Sequence, residues 1–128
     1  MMITTDAAGT VDEVVQRLTR ELDARGIRIF ATIDHAAGAR EAGLELADEV
    51  VLIFGSPAVG TALMQYDAAA GLDLPLRMLV WEDGVRTRVG YHDPHELAGS
   101  YRLAAASGVL DKLAVLLKSL AASVARDG

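Results

Sequence analysis

The sequence predicts a single α+β domain: a mixed β-sheet of about four to five strands covered by helices in two layers. Three observations predict it. Hydrophobic spacing switches along the chain between a period of two and a period near 3.6, the marks of strands and of amphipathic helices. Asp83-Gly84 sits between two strand-like runs, a strong hairpin signal. Several apolar helical stripes must also pack on something, and a sheet in a second layer is the economical answer.

The elements follow in order. Residues 2–5 read as a short edge strand. Thr10-Val11-Asp12-Glu13 is a capping box, in which Thr10 bonds the amide of Glu13 and Glu13 reaches back. Val11, Val14, Val15, Leu18 and Leu22 then form one stripe, and Gly26 stands where a terminating glycine belongs, so a helix covers 11–25. Ile27, Ile29, Ala31 and Ile33 alternate with Arg28, Phe30, Thr32 and Asp34, giving a strand over 27–33. Residues 36–42 make a short alanine-rich helix closed by Gly43.

Val50-Val51-Leu52-Ile53-Phe54 is an unbroken apolar run and reads as the central, buried strand, 49–54. Gly55-Ser56-Pro57 ends it. Ser56 suits an N-cap and Pro57 the first helical position, so a helix is expected over 58–70. Strands at 76–81 and 85–91 flank the hairpin turn, and Asp93-Pro94 breaks the second. A short helix near 96–101 precedes the most apolar helix, 108–125, with Val109, Leu113, Leu116, Leu117, Leu120 and Val124 on its buried face.

Length and composition bound the function. A chain of 128 residues fits one core, and 52% apolar residues with a mean hydropathy of +0.27 exclude disorder. The absence of cysteine removes disulfides and thiolate metal sites. A net charge of −6, with Arg77, Arg86 and Arg88 as the only basic residues that could gather on neighbouring strands, argues against nucleic acid and anionic membranes as partners. No leader and no apolar run of about 20 residues is seen, so a soluble cytoplasmic protein is expected.

Four constellations could carry chemistry. Gly55-Ser56-Pro57-Ala58-Val59-Gly60-Thr61 has the Gly-x4-Gly spacing of a phosphate loop, but it lacks the lysine, and Pro57 removes an amide. Nucleotide hydrolysis is thereby excluded. A helix start that attracts a small anion remains, against the plainer reading of an ordinary capped helix. His35, His92 and His95, with Asp34 and Asp93, are the available metal ligands; three unrelated polar residues is the plainer reading, and neither a metal nor any cofactor is assigned. Asp34 with His35, or Glu82 with His92, could serve acid-base catalysis, and an enzyme using Asp34 and His35 could be metal-assisted or not. Phe54, Met64, Tyr66, Trp81 and Tyr91 could line a pocket, though such residues are more often core.

Several blocks in order resemble one family. Ile33 to Ala39, Ile53 to Met64, Leu72 to Asp83 and Tyr91 to Pro94 are similar to the domain of unknown function 302, with the likeness spanning about residues 10–102. Members often carry Asn where this chain has Ser56 and His92. The resemblance implies a small single-domain α+β fold and a homodimer, and no established activity. The expectation drawn from the residues and the resemblance together is a small-molecule or anion binding module, with Asp34, His35, Gly55, Ser56, Gly60, Thr61, Met64 and Trp81 around the ligand. The alternatives are an enzyme using Asp34 and His35, and a homodimeric interaction protein without a ligand.

Overall fold

In the computed structural model, which describes residues 1–127, the two hydrophobic periods resolve into five strands and five α-helices joined by short 3-10 turns. The order is β1 (Met2–Ala7), α1 (Val11–Ala24), β2 (Arg28–Asp34), α2 (His35–Glu41), β3 (Glu49–Gly55), α3 (Pro57–Tyr66), β4 (Leu76–Asp83), β5 (Arg86–His92), α4 (Leu97–Ser100) and α5 (Ser107–Ser123). The strands form one sheet in the order β1-β5-β4-β3-β2.

The expected α+β fold is present, but the sheet is not mixed. Every pairing is antiparallel. The β2–β3, β3–β4 and β4–β5 connections return the chain to the end of the sheet it has just left, whereas α1 crosses the sheet to carry the chain from edge strand β1 to edge strand β2. β2 finishes where β3 begins, with Asp34 opposite Val50, and β3 finishes where β4 begins, with Phe54 opposite Leu76.

Alternation places Val50, Leu52, Phe54, Met78, Val80, Val89 and Tyr91 on one face. There they pack with Val14, Leu18 and Leu22 of α1 and with Leu117 and Leu120 of α5. Helices cover this face only, which makes the molecule two-layered. A second cluster lies past the Gly55 end of the sheet. In it Leu63 of α3 meets Leu110 and Leu113 of α5, together with Ala70, Leu103 and Ala106.

Local signals are realised closely. Both hydrogen bonds of the Thr10–Glu13 capping box form. Gly26 and Gly84 take φ values of +68° and +64°, a region that side-chain-bearing residues avoid. The expected helix 58–70 divides in two. Asp67 is extended, and its carboxylate accepts from the amides of Ala69 and Arg102, so α3 stops at Tyr66 and a 3-10 segment, Ala68–Asp73, follows.

Candidate functional site

The chain turns sharply where β3 gives way to α3. Ser56 is extended and its hydroxyl oxygen accepts from the Val59 amide at 3.4 Å, while Pro57 opens the helix. The Gly60 amide donates to the Ser56 carbonyl at 3.0 Å, and the Thr61 hydroxyl donates to the Pro57 carbonyl at 2.7 Å. A proline at the first position and a hydroxyl that satisfies one amide leave the Ala58 N–H without an acceptor within its own helix.

Beneath this turn lies a cavity of about 290 Å³. Gly55, Ser56, Gly60, Thr61 and Met64 line it, and Phe30, Leu63, Leu74 and Leu113 supply apolar walls. No charged side chain lines it. Its polar groups are two hydroxyls and backbone, which suits a mostly apolar molecule with one polar end. Gly60 does not serve close packing on the sheet: a Cβ there would find only the Met64 methyl, at 3.9 Å. The space beyond Gly60 belongs to the cavity. A second apolar groove of about 380 Å³ runs between α3 and α5 and shares Val59 and Leu113 with the first.

Five of the eight expected ligand residues are therefore gathered, and three are elsewhere. Asp34 and His35 lie at the far end of β3, because Asp34 pairs with Val50 whereas Gly55 pairs with Arg28. Five residue steps along β3 separate the two ends, roughly 17 Å at about 3.4 Å each. Asp34 is occupied as the cap of α2, accepting from the Ala37 amide at 2.9 Å, and His35 is exposed. Trp81 pairs with Glu49 at that same far end and points to the helix-free face, beside Gly90 and the Arg88 guanidinium. The expected proximity of His35 and Trp81 to the start of α3 is absent because the sheet is antiparallel at β2, β3 and β4.

The histidines do not converge. Among the described residues no three His, Asp or Glu side chains are placed to hold a metal ion. His95 is gripped instead by two acids, with Nδ1 at 2.7 Å from Asp93 and Nε2 at 2.6 Å from Asp111 of α5. Hydrogen bonding to Asp111 and then to Asp93 raises its pKa above the ordinary value. The His95 amide and ring in turn hold the Asp93 carboxyl below its ordinary range. Asp111 is sixteen residues away, and nothing in the local pattern announces it. A more polar cavity of about 240 Å³ adjoins this clasp, with Arg77, His92, Asp93 and Glu96 at its rim. Residue order does not disclose it, since β4 and α5 meet the segment from His92 to Ser100 only in the fold.

The chain belongs to the family described as "Domain of unknown function DUF302", whose model matches residues 3–120. The crystal structure of an uncharacterised conserved protein DUF302 from Bacillus stearothermophilus aligns with a TM-score of 0.87 over 96% of this chain and 97% of that one, at 19% identity, which shows a shared fold. Among curated proteins, fluoride-specific ion channel FluC 1 of Brucella suis biovar 1 (strain 1330) is 39% identical over 115 residues, 89% of this chain and 45% of that protein. Fluoride-specific ion channel FluC 2 of Brucella melitensis biotype 1 is also 39% identical, over 89% of this chain and 43% of that protein. The chain thus spans less than half the length of the curated relatives it matches. Among the described residues no helix is long and apolar enough to cross a membrane.

Proposed function

We propose that this DUF302 chain is a cytoplasmic, homodimeric binding module for a small, largely apolar molecule carrying one hydrogen-bond acceptor, such as a carboxylate or carbonyl. The observation that carries the reading is the cavity at the start of α3, with apolar walls and polar groups concentrated at Ser56 and Thr61. Its apolar body would lie against Met64, Phe30 and Leu113. Its acceptor would take the Ser56 hydroxyl hydrogen, helped by the positive end of the helix dipole. With no Lys or Arg on the walls, a bare inorganic anion gains little there, so affinity comes from the apolar part. Asp34, His35 and Trp81 take no part in this site.

A thermal-shift series with octanoate, octanamide, phosphate and fluoride tests the reading. Octanoate and octanamide should stabilise the protein, by about 2.7 kcal/mol at one hundred times the dissociation constant. Gly60→Leu, which fills the cavity from its rim, should fold and lose that response. A folded Gly60→Leu that responds like the parent, or no response from either apolar ligand, would refute it. The channel names of the Brucella relatives favour a second reading, fluoride binding by the module itself. Stabilisation by fluoride without any response to octanoate would support that one.

A further inference from the structure

The sheet face opposite α1 and α5 has no helix on it. Across its five strands it presents Met2 of β1, Gly90 of β5, Leu79 and Trp81 of β4, Val51 and Ile53 of β3, and Ile33 of β2. None of these belongs to either buried cluster. Met2 and Ile33 are 38% and 43% exposed, and Val51, Ile53, Leu79 and Trp81 are half-buried. The Trp81 ring lies over Gly90, where a Cβ would come within 3.1 Å of it, so the strip is continuous and level.

The charges on this face that have no ion-pair partner are divided by sign, His92 at the Gly55 end lying 3.6 Å from Glu96. At the Gly55 end stand Arg28, opposite Gly55, and Arg77, opposite Ile53. At the other end stands Glu49, opposite Trp81. Among the described residues none of these three has an ion-pair partner. The remaining charges at the Glu49 end are already matched: Asp6 pairs with Arg86 and Arg88 at 3.2 Å each, and Arg88 lies 3.8 Å from Asp83.

We infer that this face is an isologous dimer interface, occupied by a second copy of the chain with its strands running the opposite way. A two-fold axis between the sheets and perpendicular to the strands lays β3 on the partner's β3 in reverse. The apolar strips then meet, and Glu49 falls between the partner's Arg28 and the partner's Arg77, with the same contact repeated at the other end. An axis parallel to the strands would instead set arginine against arginine. Edge-to-edge pairing through β2 is disfavoured, since the register slips between Ile29 and Ala31 and a bulge at Phe30 interrupts the edge. This inference is independent of the cavity beneath α3.

Sedimentation velocity at micromolar concentration, with circular dichroism to confirm folding, provides the test. The parent chain should sediment as a dimer. Leu79→Asp should be a folded monomer. Glu49→Arg alone, and Arg28→Glu with Arg77→Glu, should each lose at least about tenfold in dimer affinity, because like charges face each other. An equimolar mixture of those two should recover a dimer, in which both ends carry opposite charges again. A monomeric parent, a dimer that survives Leu79→Asp, or a mixture that stays monomeric would each overturn the proposal.

Discussion

Leu113→Ala probes whether the space beneath α3 exists. Leu113 is 9% exposed and touches both the cavity at Ser56 and the groove between α3 and α5. Truncation removes three carbons, a transfer loss of about 2.4 kcal/mol at about 0.8 kcal/mol each. A buried leucine adds a cavity penalty on top, which carries well-packed Leu→Ala changes toward about 5 kcal/mol. At Leu113 that addition is small, because the side chain already lacks close neighbours on two sides and has less dispersion energy to lose. Leu120 is fully buried in the cluster that α1, α5 and the sheet form together. Urea unfolding should therefore give a loss of about 2–3 kcal/mol for Leu113→Ala and about 3–5 kcal/mol for Leu120→Ala, with unchanged slopes. A loss below about 0.5 kcal/mol at Leu113 would put it on the surface. A loss equal to that at Leu120 would mean that the space around Leu113 is filled, and the binding reading would fall with it.

Two further outcomes are expected. Thr10→Ala should destabilise the protein by about 1 kcal/mol in the same urea assay, whereas Glu13→Gln should be nearly neutral because glutamine completes the box equally well. His95 should titrate above 6.5 by NMR, and Asp111→Asn should return its midpoint toward that value. Because the folded pKa is raised, the stability His95 contributes is present in full below 6.5 and is lost as pH rises through the folded midpoint. Asp93 acts at the other limit: with its folded pKa lowered, its contribution is present above 3.8 and disappears as pH falls through the folded value. His95→Ala should flatten the first of these dependences.

What was legible in the sequence was local. The Thr10–Glu13 box, the Gly26 stop, the Asp83-Gly84 turn and the Ser56-Pro57 helix start each close within about four residues, so residue order is enough to read them. The same holds for the part of the site that assembled, since Gly55 to Met64 is one turn and the helix it begins. What depended on long-range register was not legible. Period two tells which residues share a face of a strand, but not which way the neighbouring strand runs. His35 and Ser56 each follow the carboxyl end of a strand, which would bring them together in a parallel sheet, but the antiparallel register puts them at opposite ends of β3. Asp67 ends α3 partly through the Arg102 amide, thirty-five residues on, and no pattern around Asp67 discloses that partner.

The central strand is the instructive case. An unbroken apolar run ordinarily means a strand covered on both faces. Val50 to Phe54 is such a run, yet helices cover only the side that carries Val50, Leu52 and Phe54. A strand covered once needs apolar residues at alternate positions only, so Val51 and Ile53 are more than the monomer uses. On the last helix Leu110, Leu113, Leu117 and Leu120 turn inward, and Val115, 69% exposed, is a single apolar residue on the outer side. The surplus lies on the open face of the sheet, continuing from Val51 and Ile53 to Leu79, Trp81 and Ile33. Polar residues at those positions would have kept the two-layer fold and left a wettable sheet. An apolar strip bounded by arginines at one end and a glutamate at the other is what a second layer of the same kind would require, and a second copy of the sheet is the occupant we infer for it.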